Sequence, residues 1–152
     1  MTSATDPSFF ELLTGSYKRL LGHTPTFLKD ITTDGPRWLY EDAQACVLTH
    51  NTAADPVFIY ANRAAQALFE YRWDEIVGLP SRLSAEAPNR EERQRLLEAV
   101  ARDGFATGYS GVRISKSGRR FRMEDGILWE LRDELNALRG VAATFQRWKF
   151  LE

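Results

Sequence analysis

Apolar residues in the first 22 positions recur at helical spacing, with Phe10, Leu13, Tyr17, Leu20 and Leu21 on one stripe, which predicts an amphipathic helix. Asp6-Pro7 suits its start, an N-cap followed by proline at the first helical position, and Gly22 suits its end. Residues 23–35 read as a connection, with a turn at Asp34-Gly35-Pro36. Trp38, Leu39 and Ala43 extend a second short helix.

At Ala45 the period changes. Cys46-Val47-Leu48-Thr49 reads as a strand, Asn51 to Pro56 as a polar turn, and Val57-Phe58-Ile59-Tyr60 as a second strand. Asn62 caps a helix running through Leu68-Phe69. A brief helical turn from Trp73 to Val77 stops at Gly78. Asn89, with Glu92 three residues on, reads as a capping box for a longer helix that buries Leu96, Leu97 and Val100 and ends at Gly104.

The last third reads as three strands. Residues 109–115 alternate, with Val112 and Ile114 on one face. Lys116-Ser117-Gly118 turns the chain into Phe121, Met123, Ile127, Trp129 and Leu131, all odd-numbered and so expected on one face. After a turn over Arg132 to Asn136, Val141, Ala143 and Phe145 supply the final strand. A helix, two strands, several short helices and three strands predict an α+β domain: an antiparallel sheet with helices on one face.

Two stretches carry a family likeness. V-F-I-Y-A-N-R-A-A-Q-A-L-F-E-Y-R-W-D-E-I-V-G, from Val57 to Gly78, resembles the front half of a PAS domain, and Ser110 to Glu124 resembles its back-half hairpin. The string from Gly78 to Arg93, G-L-P-S-R-L-S-A-E-A-P-N-R-E-E-R, and the close A-A-T-F-Q-R-W resemble the MEKHLA branch of PAS-like proteins. The resemblance implies a five-stranded antiparallel sheet over residues 43–150, with residues 1–42 as an N-terminal helical extension. It further implies a sensory, ligand-binding or signalling module that is not an enzyme. Output is expected to pass through a partner protein or through self-association; the N-terminal helix either caps its own sheet or, as PAS relatives often use it, pairs with a second copy in a homodimer.

Composition narrows the partners. Of 152 residues, 43% are hydrophobic, enough for a core, and 20 basic against 21 acidic residues leave a net charge of −1. Neither nucleic acid nor a membrane surface is expected as a partner without a local basic patch. The polar start from Met1 to Asp6 and the absence of a long apolar run lead to the expectation of a cytoplasmic protein.

The family's cofactors depend on specific side chains. A covalent flavin adduct needs a cysteine after the Ile-Val-Gly turn, and Leu79 to Asn89 contains none; Cys46 reads as a small core residue. A His-ligated haem needs a histidine on the long helix, and residues 89–103 contain none. His23 and His50 both fall at connections, where an exposed ring is expected. A flavin held without a covalent bond stays open; no cofactor is assigned and no metal site is expected.

The pocket expected between the long helix and the sheet is mostly apolar with a few polar groups, and the partner expected there is a small apolar ligand. Its candidate walls are Leu97, Val100, Met123, Ile127 and Phe145, with Ser110 and Asp125 as polar members. Asp125 has two readings. By strand parity it joins Met123 and Ile127 in the pocket, as a ligand anchor or a carboxylate with raised pKa. Alternatively, a bulge near Gly126 turns it outward. Arg113, Arg119, Arg120 and Arg122 read as a solvated sheet edge, and Arg90 to Arg95 as mixed-charge helix surface. Three functions are weighed: a ligand-binding signalling module, a protein-interaction domain with a filled core, and a small cup-shaped isomerase or hydratase using Asp125.

Overall fold

The structure, a computed structural model, describes residues 3–28 and 34–151. The middle of the connection predicted over 23–35 lies outside the described residues. The elements follow the order α1 (Pro7–Leu21), α2 (Gly35–Glu41), β1 (Cys46–His50), β2 (Phe58–Ala61), α3 (Arg63–Phe69), α4 (Trp73–Ile76), α5 (Ala87–Asp103), β3 (Phe105–Ile114), β4 (Arg120–Arg132), β5 (Leu138–Phe145) and β6 (Arg147–Phe150). Short 3-10 turns lie at Thr26–Leu28 and Ser81–Ser84.

The strands form one antiparallel sheet ordered β2-β1-β5-β4-β3, the expected five, to which β6 adds by pairing with β4. β5 and β6 run along the same flank of β4. β5 pairs with Ile127–Arg132 and β6 with Phe121–Glu124, leaving Asp125 and Gly126 unpaired on that flank.

Local chemistry sets most boundaries. Asp6 accepts from the Ser8 N–H and Gly22 closes α1 in the left-handed conformation. Asp34-Gly35-Pro36 is a helix start instead of a turn, because the Asp34 side chain accepts from the Arg37 N–H and so caps α2. The capping box expected at Asn89 is absent. α5 begins at Ala87, and Asn89 lies within it. Half of such a box forms one helix earlier, where the Glu75 side chain accepts from the Arg72 N–H at 2.9 Å.

Both faces of the sheet are covered. On the concave side α3, α4 and α5 pack over Cys46, Leu48, Phe58, Phe121, Met123 and Phe145. On the opposite side α1 and α2 bury Phe9, Leu13, Tyr17 and Leu39 against Val47, Tyr60, Trp129 and Leu131. The stripe of α1 is thus spent on its own sheet: Trp129 Nε1 donates to the Leu13 carbonyl at 3.0 Å, and the Arg132 N–H donates to Ser16 Oγ at 3.0 Å. Leu13 and Tyr17 are buried in this way, while Phe10, Leu20 and Leu21 of the same stripe stay half-buried.

The strand parity also needs correction. Asp125 adopts φ 57, in the left-handed region, and the register of β3 against β4 slips on both sides of Tyr109–Gly126. The bulge adds a residue and reverses the alternation. Phe121 and Met123 therefore face the concave side, whereas Ile127, Trp129 and Leu131 face α1. Their odd numbering does not put them on one face.

Candidate functional site

A cavity of about 60 Å³ lies between α5 and the concave face. β1 contributes Leu48 and His50, β2 Phe58, and β3 Arg113. β4 supplies Met123 and Leu128, β5 Val141, Ala142, Ala143 and Phe145, and the cover consists of Arg93, Leu96 and Leu97 with Ser84 beside them. On the scale of roughly 10–15 Å³ per enclosed water, the space suits about four to six non-hydrogen atoms.

Of the seven residues expected to line it, Leu97, Met123 and Phe145 do so. Val100 is buried on the same helix, one turn further along. Ser110 is exposed on β3, away from the cavity. Asp125 and Ile127 line a separate groove on another part of the surface. Asp125 is exposed there and pairs with Arg147 at 2.5 Å. The bulge is the physical reason: it turns Asp125 outward and carries Ile127 to the α1 side.

The polar members of the cavity are Arg93, Arg113, His50 and Ser84, the first three of which were expected on the surface. Opposite Phe121, Arg113 shares that residue's face and is only 5% exposed. Its Nη1 donates to the Val112 carbonyl at 2.7 Å and its Nη2 to Tyr109 Oη at 2.9 Å. The Tyr109 hydroxyl in turn donates to Glu92 Oε1 at 2.8 Å. Gly111 permits this chain, because a Cβ there would meet the Tyr109 hydroxyl and lie 2.7 Å from Glu92 Oε1.

Arg93 Nη2 donates to Ser81 Oγ at 2.6 Å. Burial, and next the like charge of Arg113, pull the Arg93 pKa down to about 10. His50 ends β1, and its Nδ1 sits 2.9 Å from the Asn51 carbonyl. Its Nε2 is buried and has no hydrogen-bond partner. Burial lowers the His50 pKa, which holds the ring neutral at pH 7.

The sequence held only weak signals for these residues. Cross-strand pairing with Phe121 is what places Arg113 inside, and that register depends on the Lys116-Ser117-Gly118 turn. Arg93 stands at i−4 and i−3 from Leu97 and Leu96, on their side of the helix, but its neighbours Arg90, Glu91 and Arg95 disguise it as surface.

The site does not fit the large cofactors of the wider fold. A tricyclic flavin or a haem is several times larger than the space under α5. Cys46, 0% exposed on β1, has its thiol pushed up to about 12 by burial, unlike a reactive cysteine. Among the described residues no cluster of three or more His, Cys, Asp or Glu could hold a metal, and no helix is long and apolar enough to cross a membrane.

Known structures share this architecture. The PAS domain of a protein from Colwellia psychrerythraea aligns with TM-score 0.62 and 15% identity, over 74% of this chain and 90% of that one. A light-oxygen-voltage domain studied with a flavin analogue aligns with TM-score 0.58 and 15% identity, over 72% of this chain and 78% of that one. An RNA-binding light-oxygen-voltage receptor aligns with TM-score 0.61 and 20% identity, over 79% of this chain but 33% of the receptor. At these identities the likeness concerns the fold alone. No curated protein matches the chain. The family model of the MEKHLA domain matches residues 7–150, from the first residue of α1 to the last of β6, and the chain therefore belongs to the MEKHLA domain family.

Proposed function

We propose that this protein is a non-catalytic sensory module in which a small molecule held under α5 alters how that helix seats on the sheet. A protein partner then reads the change. The observation that supports this most is the cavity itself, placed beneath a thinly anchored cover. Among the α5 side chains described, Val100 is the one fully buried, while Leu96 and Leu97 are half-buried over the space. A cover with so little buried apolar area moves at low cost.

Membership in a family of PAS-like fold, whose domains are generally sensory signalling modules, points the same way. The isomerase reading loses its basis, since Asp125 stands outside the cavity. Against a nucleic-acid partner, surface arginines are largely neutralised, Arg82 by Asp55, Arg120 by Glu86, Arg132 by Glu130 and Arg147 by Asp125.

Native mass spectrometry of the purified full chain tests the reading, alongside a thermal-shift screen of small metabolites. Wild-type protein is expected to retain or be stabilised by a small molecule, and Leu97→Trp, which fills the space, is expected to fold but lose the effect. If no mass is retained and no compound raises the melting temperature, the protein is an interaction domain with a closed core.

A further inference from the structure

The polar lining of the cavity is unusual in its charge. Two guanidinium groups, on Arg93 and Arg113, face the same small space. Among the described residues neither forms an ion pair. The hydrogen bonds they make go to neutral acceptors: a serine hydroxyl, a backbone carbonyl and a tyrosine hydroxyl. Glu92 contributes its negative charge at one remove, through the Tyr109 hydroxyl.

Arg113 is buried and Arg93 half-buried, and holding two like charges so without an opposite partner is costly; a fold usually avoids it or supplies the missing charge. Of the other twelve lining positions all but His50 and Ser84 are apolar, and none carries a negative charge, which leaves an occupant to supply it. A guanidinium presents a planar fork of N–H donors that matches the two oxygens of a carboxylate. His50 adds no donor for an anion: its Nδ1–H goes to the Asn51 carbonyl, which leaves Nε2 of the neutral ring an acceptor.

We infer that the cavity binds a small monocarboxylate, of roughly four to six non-hydrogen atoms on the scale of the enclosed volume, with its carboxylate between Arg93 and Arg113 and its short apolar tail against Leu97, Met123 and Phe145. This rests on the reading of the cavity as a ligand site and names the class of ligand. A phosphate suits the site less well, because it has no tail for the apolar wall and carries more charge into a largely apolar space.

The test is a calorimetric and amide-NMR titration of the full chain with butyrate, its neutral analogue butyramide, and inorganic phosphate. Butyrate is expected to bind saturably, with shifts concentrated in α5, β1 and β3, and to bind at least tenfold more tightly than butyramide or phosphate. Arg113→Met and, should that variant not fold, Arg93→Met are each expected to weaken butyrate at least tenfold while leaving butyramide unchanged. Equal binding of butyrate and butyramide would overturn the inference yet leave the cavity a ligand site. Tighter binding of phosphate would overturn the carboxylate assignment. If neither butyrate nor butyramide binds, the inference also fails, and the retained-ligand experiment then decides separately whether the cavity is a ligand site at all.

Discussion

Replacing Asn62 by alanine is expected to lower the melting temperature by on the order of 10 °C, from a loss of about 3–5 kcal/mol in a domain of this size. Asn62 is wholly buried, and its side chain makes four hydrogen bonds. Its Oδ1 accepts from the Val47 N–H at 3.0 Å and the Ala65 N–H at 3.2 Å. Its Nδ2 donates to the Leu39 carbonyl at 3.1 Å and the Ala45 carbonyl at 2.8 Å. One side chain thus caps α3, completes the start of β1 and ties α2 to both. Alanine leaves buried backbone groups without partners, and each costs far more than an average hydrogen bond contributes. Asn62→Asp is expected to be comparably harmful, since it removes both donations and sets a carboxylate against two carbonyls. Chemical denaturation of the two variants measures this; a loss under 1 kcal/mol in both would mean that the network does not hold the fold.

Truncating Trp129 to alanine is the second large effect, expected to cost about 3–5 kcal/mol and to loosen α1. Trp129 is fully buried. It packs edge-on to Tyr17 at 5.0 Å between ring centroids and stacks on Phe27 at 6.0 Å. Its indole N–H is the donor that reaches the Leu13 carbonyl across the interface. The variant should therefore expose α1 to limited proteolysis at concentrations of denaturant where the wild type resists, with the cleavage confined to the first 22 residues. Uniform loss of structure, or no added cleavage near α1, would contradict the idea that this residue fastens the helix to the sheet.

The contrast between these two residues explains how far the chain could be read in advance. Asn62 was recognisable as a helix cap because that role is local, set by the residues immediately after it. Its other three bonds were not, for they depend on where α2 and β1 arrive in space. The strand order and turns were similarly legible from alternation and from Gly and Pro punctuation. Face assignment in β4 failed at a single place, Asp125-Gly126, because one left-handed residue reverses every side chain beyond it.

The site inherited that error. Leu97, Met123 and Phe145 were found, as all three lie outside the reversed segment. Ile127 is carried away by it, and Asp125 takes the outward of its two readings. Arg93, Arg113 and His50 were missed for a different reason: a charged or titratable residue is a surface residue on any statistical reading, and only the pairing of β3 with β4 and the seating of α5 bring these inward. The polar features of the concave side are therefore the ones that local pattern conceals.

The central claim is that α5 is a weakly held cover over a ligand cavity. Hydrogen–deuterium exchange, resolved by residue, tests it most directly. In ligand-free protein the amides from Leu96 to Val100 are expected to exchange well before those of β4 and β5, and to slow when the cavity is filled. Amides in α5 as protected as the central strands, and indifferent to every small molecule that binds, would contradict it.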